Sequence, residues 1–331
     1  MIKTITDKID IAIIGAGPAG IACAIAAVKK KYRVRLVDKG NVADAIIRFP
    51  TQMIFFSTAD LLELASVPFT SQNIRPTRLE TVKYYHSLIR MFHIPVLLST
   101  RVVQINKKSS CFEIHYHGKK QDQRMESRYV ILATGFYDQP NTLNVPGEDR
   151  PSVSHYYKEP LAYFNQQVVV VGGGNSAVEA ALELYRHGCR VTLVHRGTDI
   201  RESVKYWIKP DIQNRIKEKS IPAYFHTRVE KITDEGVMIN QNGSKLILPA
   251  DAVFIMTGFH PDESNYRMCQ VNYDPVTLEP VCNHETLESD VPGLYLAGSV
   301  VAGRNTNKIF IENGREHGEM ILADIQKKIK K

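Results

Sequence analysis

Residues 11–20 read IAIIGAGPAG, and they decide the fold class of this 331-residue chain. A short apolar run leads into Gly15, Gly17 and Gly20, and an alanine-rich run typical of a helix follows. In a strand–turn–helix unit of this kind, the first glycine permits a tight turn, the second lets the backbone approach a pyrophosphate, and the third lets helix and strand pack. The helix N-terminus then directs unpaired N–H groups and partial positive charge at the phosphates. The stretch therefore predicts a dinucleotide-binding unit.

The same pattern occurs a second time in residues 168–177, which read VVVVGGGNSA. Gly172, Gly174 and Ala177 take the three positions of the turn. A single glycine-rich turn is a weak signal, but one between an apolar strand and a helix is much stronger. Two such units in one chain predict a protein that holds two dinucleotides and passes electrons between them.

The ends of the following strands distinguish the two dinucleotides. In the first unit the next apolar strand ends in Asp38, about 20 residues beyond the turn, where an acidic residue binds ribose hydroxyls. In the second unit the corresponding strand ends in His195 and Arg196. A carboxylate there would repel a 2′-phosphate, whereas an arginine accommodates it, and Arg201 can join the clamp. We therefore predict FAD at the first turn and NADPH at the second.

The candidate cofactor-binding residues lie in the glycine turns and at strand ends. Toward FAD they are Gly15, Gly17, Pro18, Ala19, Gly20, Asp38, Lys39, Ser57, Val102, Ala133, Thr134, Gly135, Gly298 and Ser299. Toward NADPH they are Gly172, Gly174, Asn175, Ser176, Ala177, His195, Arg196, Arg201 and Gly258. No cysteine spacing typical of zinc ligands occurs, so we predict no metal site.

Composition narrows the class of protein. The net charge is +7, from 42 basic and 35 acidic residues, but the two signs are interspersed, so we expect no nucleic-acid partner. No run approaches the roughly 18 apolar residues of a membrane span. The first apolar strand begins almost at the first residue, so we expect no signal peptide. The five cysteines are scattered and odd in number, which favours a reducing cytoplasm over a disulfide framework.

Strands alternate with helical patterns along the chain, which predicts an α/β class with parallel sheets. Residues 101–106 and 112–117 read as strands, and so do residues 129–135 (YVILATG). Helices are predicted over an amphipathic stretch at residues 81–92 and over residues 314–328.

These features resemble the two-dinucleotide flavoproteins related to thioredoxin reductase. The resemblance rests on the two glycine turns, the Ala-Thr-Gly end of the strand at 133–135, and the return strand at 293–298. It implies two Rossmann-like domains, with an FAD domain formed by residues 1–137 and 259–331 and an NADPH domain formed by residues 138–258. It also implies a homodimer in the cytoplasm.

Stretches outside the cofactor motifs are similar to the YpdA-like bacillithiol disulfide reductase branch. They are residues 49–51 (FPT), 55–57 (FFS), 67–69 (VPF), 155–159 (HYYKE), 205–208 (KYWI), 258–262 (GFHPD) and 309–314 (IFIENG). This resemblance implies hydride transfer from NADPH to FAD and onward reduction of a low-molecular-weight disulfide such as bacillithiol disulfide.

The chain departs from these families at positions that matter for the second step. Ala19 stands where the bacillithiol branch carries a cysteine, and no C-x-x-C occurs anywhere. Cys23, one helical turn further on, fits a small core residue better than a redox thiol. Ser299 follows Gly298 where an aspartate is usual. The catalytic residue is therefore not identified. A ferredoxin or flavodoxin–NADP reductase, a flavin monooxygenase-like enzyme and a non-catalytic redox sensor stay open as alternatives.

Overall fold

The computed structural model describes residues 3–4, 9–118 and 121–330 of the chain. In chain order, its strands are β1 (Lys3–Thr4), β2 (Ile9–Ile14), β3 (Val34–Val37), β4 (Val96–Leu97), β5 (Arg101–Lys107), β6 (Phe112–His117), β7 (Asp122–Leu132), β8 (Gln139–Pro140), β9 (Val153–Ser154), β10 (Gln167–Val171), β11 (Arg190–Val194), β12 (Ala223–Tyr224), β13 (Thr227–Thr233), β14 (Gly236–Gln241), β15 (Ser244–Leu248), β16 (Ala252–Ile255), β17 (Phe259–His260) and β18 (Leu294–Leu296). The α-helices are α1 (Pro18–Lys29), α2 (Asp44–Ile47), α3 (Arg78–Met91), α4 (Asn175–Arg186), α5 (Lys209–Lys217), α6 (Ser264–Arg267), α7 (Ile311–Gly314) and α8 (His317–Lys330), and short 3-10 helices occupy Ala59–Leu62, Leu161–Tyr163 and Gly298–Ala302.

The chain folds into two compact units. The first comprises Met1–Ile47, Met53–Gln139 and Phe259–Lys331, and the second comprises Arg48–Gln52 and Pro140–Gly258. The short segment Arg48–Gln52, which the sequence assigned to the first domain, thus groups with the second unit. The assignment of FAD to one unit and NADPH to the other stays a prediction.

The sheet of the first unit brings three chain-distant strand ends together. Its strands follow the order β4-β3-β2-β7-β6-β5, and β18 also pairs with β7. Strands β2, β3, β4 and β18 run parallel to the second half of β7, while β6 pairs antiparallel with the first half. The carboxyl ends of β2, β7 and β18 therefore meet at one edge, where an open α/β sheet binds its ligands.

The second unit repeats this arrangement on a smaller scale. Its parallel sheet has the order β12-β11-β10-β16-β9, and β13, β14 and β15 form a separate antiparallel sheet. The four valines of β10 are buried, with apolar side chains packed on both faces of the sheet. A strand covered on both faces reads as a continuous apolar run, which explains the VVVV sequence.

The helices carry the glycine turns and close the first unit. Residues 20–27 of α1 are buried throughout, because this helix lies between the sheet and α8. Helix α8 packs closely against α1, because a Cβ at Gly318 of α8 would lie 2.9 Å from the carbonyl oxygen of Ala22 in α1. The final helix starts at His317, later than predicted, because the short helix α7 precedes it. Helix α3 begins at Arg78, earlier than predicted, since Thr77 and Glu80 form a capping box there.

Candidate functional site

The first glycine turn has the geometry that its sequence predicts. Gly15 has φ +111°, and a Cβ on it would overlap the carbonyl oxygen of Ala133 at the end of β7. A Cβ on Gly20 would overlap the carbonyl oxygen of Gly15, so both positions need glycine for close packing. Gly17 caps the N-terminus of α1 with an ordinary φ of −75°, and among the described residues no atom beyond its chain neighbours and its own helix lies within 4 Å of its Cβ position. The N-terminus of α1 is therefore open to an approaching phosphate.

Asp38 fixes the shape of this turn. One carboxylate oxygen accepts the N–H of Ala16 at 2.7 Å, and the other accepts the N–H of Gly40 at 2.7 Å. Burial raises the pKa of this carboxyl group, and the two N–H donors counteract the rise. Each oxygen keeps a further lone pair for a ribose hydroxyl, so a positioning role and the predicted ribose contact are compatible.

The ends of β7 and β18 border the same turn. A Cβ on Gly298 would lie 2.7 Å from the Cβ of Ala19, so these two residues are in close contact. Gly298 donates its N–H to Nδ1 of His317 at 3.0 Å, and burial lowers the pKa of this histidine. Sequence reasoning missed this contact, because the two residues are 19 positions apart in the chain. His317 is thus an uncharged acceptor that holds the Gly298 turn beside Ala19.

Thr134 carries an orphaned polar atom at this edge. Its hydroxyl oxygen is buried and has no hydrogen-bond partner within the described residues. A buried hydroxyl without a partner costs about 1–3 kcal/mol, so native proteins rarely keep one. Ser299 borders Gly135, the next residue, at 3.8 Å from its Cβ position. A polar ligand lying between the strand ends would satisfy Thr134, and this observation fits FAD.

Replacing Thr134 with valine is expected to move two measurements in opposite directions. The flavin-free variant should be more stable to unfolding, by up to about 1 kcal/mol, because an unsatisfied hydroxyl is removed without loss of volume. The affinity for FAD should fall about fivefold, because one hydrogen bond to the cofactor is lost. Thermal unfolding of the apoprotein and fluorescence titration with FAD measure the two effects. Equal FAD affinity of the wild-type protein and Thr134→Val would contradict a hydrogen bond from Thr134 to FAD.

Three further candidates in the first unit have identified surroundings. Lys39 forms an ion pair with Asp138 at 2.8 Å. The buried hydroxyl of Ser57 donates a hydrogen bond to the carboxylate of Glu312. Val102 lies in β5, where it pairs with Tyr116 of β6 and is buried. Their roles toward FAD stay predictions.

The second glycine turn reproduces the features of the first. Gly172 has φ +149°, and a Cβ on it would lie 2.5 Å from the carbonyl oxygen of Met256 and 2.9 Å from the Cβ of Ala177. Gly174 caps the N-terminus of α4, and in the part of the chain that the structure describes no atom beyond its chain neighbours and its own helix lies within 4 Å of its Cβ position. The N-terminus of α4 is therefore open as well, with the exposed Ser176 in its first turn.

The ring of His195 packs against the second glycine turn. Its buried ring lies 2.5 Å from a Cβ built on Gly173 and 2.6 Å from one built on Gly197, so only glycine fits at both positions. Burial lowers the pKa of His195, and the positive charges of Arg201 and Arg196 lower it further. The ring is therefore neutral at pH 7 and acts as a packing element, while the arginines supply the charge.

Asn175 links the N-terminus of α4 to the following loop. Its side-chain oxygen accepts the N–H of Lys205 at 2.9 Å, and its side-chain nitrogen donates to the carbonyl of Ser203 at 3.3 Å. The N–H of Arg201 donates to the carbonyl of Gly173 at 3.0 Å, so three hydrogen bonds join this loop to the turn and the start of α4. Asn175 is thus placed to position the loop that carries Arg201.

Arg196 and Arg201 are both exposed, and Arg196 lines a polar groove of about 330 Å³. His226 and Arg228 line the same groove. Sequence reasoning missed both, since they lie more than 30 residues beyond the end of β11. Gly258, the remaining candidate, has φ +95°, and its carbonyl accepts the N–H of Asn141 at 2.9 Å.

The five cysteines are all free. Burial raises the pKa of Cys23 and of Cys269 to about 12, so neither is a thiolate at neutral pH. Burial also raises the pKa of Cys189 and of Cys282. Cys23 is therefore a core residue of α1, as its sequence context predicts.

Comparison with known proteins identifies the family. The family model described as pyridine nucleotide-disulphide oxidoreductase matches residues 12–298, and the chain belongs to this family. The chain is 40% identical over 318 residues to the bacilliredoxin reductase Bdr of Bacillus subtilis, covering 96% of this chain and 97% of the relative. A structure of the bacillithiol disulfide reductase Bdr (YpdA) from Bacillus cereus superposes with a TM-score of 0.95 at 37% identity, covering 97% of this chain and all of that chain. A thioredoxin reductase structure from Lactococcus lactis shares the fold at 20% identity, with a TM-score of 0.77 and coverage of 97% of this chain and 98% of that chain.

These comparisons confirm the predicted class of protein. The chain is an FAD-dependent NAD(P)H oxidoreductase with the two-domain, thioredoxin reductase-like α/β fold, and its cofactors are FAD and NADP(H). The predicted resemblance to the YpdA-like branch is also confirmed. In the part of the chain that the structure describes, no helix is both long and apolar enough to cross a membrane.

Proposed function

We propose that this chain reduces a low-molecular-weight disulfide, such as bacillithiol disulfide, with electrons from NADPH. The observation that carries the proposal is the pair of glycine turns, each of which opens a helix N-terminus, in a chain 40% identical over nearly its whole length to a bacilliredoxin reductase. FAD, when bound, accepts a hydride and can deliver two electrons to an acceptor. The net reaction is NADPH + H⁺ + RSSR → NADP⁺ + 2 RSH.

The residues of the first unit hold and orient FAD in this proposal. The open N-terminus of α1, capped by Gly17, receives the pyrophosphate. Asp38 accepts hydrogen bonds from the ribose hydroxyls while it keeps the turn in shape through Ala16 and Gly40. Thr134 donates its otherwise unsatisfied hydroxyl to the cofactor. In the second unit, the N-terminus of α4 receives the pyrophosphate of NADPH in the same way, and Arg196 binds its 2′-phosphate.

The disulfide is reduced without a thiol of the protein in this proposal. Ala19 stands in close contact with Gly298, in the turn where the bacillithiol branch carries its cysteine, and a methyl group cannot form a mixed disulfide. Cys23 is fully buried, and burial raises its pKa to about 12, so it does not replace the missing thiolate. In this proposal the bound cofactor, and not a thiol at this turn, would supply the electrons to the disulfide.

Product stoichiometry tests this proposal. Purified, FAD-loaded protein should oxidise one NADPH for every two thiols released from bacillithiol disulfide, and it should consume little NADPH without the disulfide. Treatment of the NADPH-reduced protein with iodoacetamide, followed by its removal, should leave the rate unchanged, because no protein thiol takes part. A rate abolished by alkylation would show that a cysteine is required, and release of no thiol would exclude disulfide reduction.

Replacing Arg196 with alanine is expected to weaken NADPH binding about tenfold and to leave NADH binding nearly unchanged. The guanidinium is exposed at the end of β11, where it can make a charge-assisted hydrogen bond to the 2′-phosphate that NADH lacks. The ratio of kcat/KM values for the two nucleotides measures the effect. Equal losses for both would remove the assignment of the 2′-phosphate to this residue.

We further propose that the enzyme acts as a homodimer in the cytoplasm. Large apolar side chains are exposed on the first unit, among them Ile54, Leu61, Ile74 and Leu79, and a second copy can cover such side chains. Five free cysteines suit a reducing compartment. Light scattering after size-exclusion chromatography measures the assembly directly, and a mass of 37.4 kDa would contradict the dimer.

A further inference from the structure

We infer that Arg228 is a second arginine for the 2′-phosphate of NADPH, and that the groove it shares with Arg196 is the subsite that selects this nucleotide over NADH. The inference rests on the proposed function and adds a specificity-determining residue to it. Arg196 was assigned from the sequence, whereas Arg228 lies in β13 of the separate antiparallel sheet.

The groove lies directly beside the second glycine turn. The N–H of His226 donates to the carbonyl of Gly197 at 2.9 Å, and the N–H of Thr227 donates to the carbonyl of His195 at 3.1 Å. The ring of His195 packs against Gly173 of the turn itself. The start of β13 is thus joined to the loop that follows β11, where the adenosine end of a dinucleotide lies when its pyrophosphate is at the helix N-terminus. Arg201, the other sequence-based candidate, does not line the groove.

The charge of the groove favours a dianion. Within the described ranges, neither Arg196 nor Arg228 has a side-chain hydrogen bond or ion pair, and both are exposed. The carboxylate lining the groove, Glu230, is neutralised: it pairs with Lys245 at 2.8 Å and accepts a hydrogen bond from Asn240 at 2.7 Å. Two unpaired guanidinium groups match the charge and the geometry of a phosphate monoester. A 2′-hydroxyl offers them no charge.

Binding of two small probes to the FAD-loaded full-length protein tests the inference. Calorimetric titration with 2′,5′-ADP, which carries the 2′-phosphate, is compared with titration by 5′-AMP, which lacks it. Arg228→Ala should weaken the binding of 2′,5′-ADP about tenfold and leave the binding of 5′-AMP unchanged. Arg228→Lys should weaken the binding of 2′,5′-ADP less, because lysine keeps the positive charge but lacks the planar guanidinium. Lys231→Ala, which removes an exposed positive charge from the same strand outside the groove, should change neither affinity.

Either of two results would overturn the inference: unchanged affinity of Arg228→Ala for 2′,5′-ADP, or equal weakening of both probes. The titrations need no disulfide and no turnover, so they separate this inference from the proposed function. If the wild-type protein reduces no disulfide but Arg228→Ala loses affinity for 2′,5′-ADP, the assignment of Arg228 stands and the proposed function is wrong. If the wild-type protein reduces the disulfide but Arg228→Ala keeps its affinity for 2′,5′-ADP, the proposed function stands and the assignment of Arg228 is wrong.

Discussion

Replacing Gly15 with alanine is expected to yield a destabilised protein without FAD. The backbone at Gly15 has φ +111°, which costs an L-residue about 1–2 kcal/mol, and the new Cβ would overlap the carbonyl oxygen of Ala133. Displacing that strand end adds about 1–3 kcal/mol. A total of about 2–5 kcal/mol is a large share of the 5–15 kcal/mol typical of a domain. Thermal unfolding should shift down by about 5–20 °C for a unit of this size, and the purified protein should be colourless.

Gly17→Ala provides the matched control in the same turn. Its φ of −75° suits alanine, and the new methyl group would meet no described residue outside its own helix and chain neighbours within 4 Å. Stability of the apoprotein should therefore change by less than about 1 kcal/mol. The methyl group would stand where the pyrophosphate must approach, so FAD affinity should fall at least about tenfold. Full FAD binding by Gly17→Ala would contradict the position of the cofactor at α1, and normal stability of Gly15→Ala would contradict the packing of the turn.

Replacing Gly174 with alanine is expected to remove NADPH binding while the protein keeps its FAD. Gly174 caps α4 as Gly17 caps α1, and no described residue beyond its chain neighbours and its own helix approaches its Cβ position, so the fold tolerates the methyl group. The methyl group blocks the approach of the second pyrophosphate, and the rate of flavin reduction at limiting NADPH should fall at least about tenfold.

Two measurements distinguish a specific loss of NADPH binding by Gly174→Ala from a general loss of folding. The flavin content of Gly174→Ala should equal that of the wild type, and dithionite should reduce both flavins equally. NADPH should reduce only the wild type quickly. A variant that NADPH reduces at the wild-type rate would show that the nucleotide binds away from α4.

The features that could be predicted from the sequence are those dictated by local backbone geometry. Gly15 and Gly172 need positive φ and close contact, so glycine is required and the pattern is visible in ten residues. The buried strands likewise read as apolar runs. The contact of His317 with Gly298 could not be predicted, because a single hydrogen bond between distant residues leaves no periodic pattern.

Contacts between residues distant in the chain also could not be predicted at the candidate NADPH site. Arg196 was found because it follows a fingerprint strand. Arg228 reaches the groove because His226 and Thr227 hydrogen-bond to Gly197 and His195, and these bonds join residues that are distant in the chain. Asn175 was predicted as a cofactor-binding residue of the turn, yet its side chain also links α4 to the loop at Lys205. That link depends on where the chain after α4 and β11 returns to the start of α4, which spacing alone does not determine.

Anaerobic titration of the flavin follows the proposed passage of electrons from NADPH to a disulfide without a protein thiol. FAD-loaded protein is mixed with one equivalent of NADPH, the absorbance near the flavin maximum is followed, and bacillithiol disulfide is then added. We predict bleaching on addition of NADPH and full recovery on addition of the disulfide, with the same result after every accessible cysteine has been alkylated. Bleaching without recovery would contradict disulfide reduction.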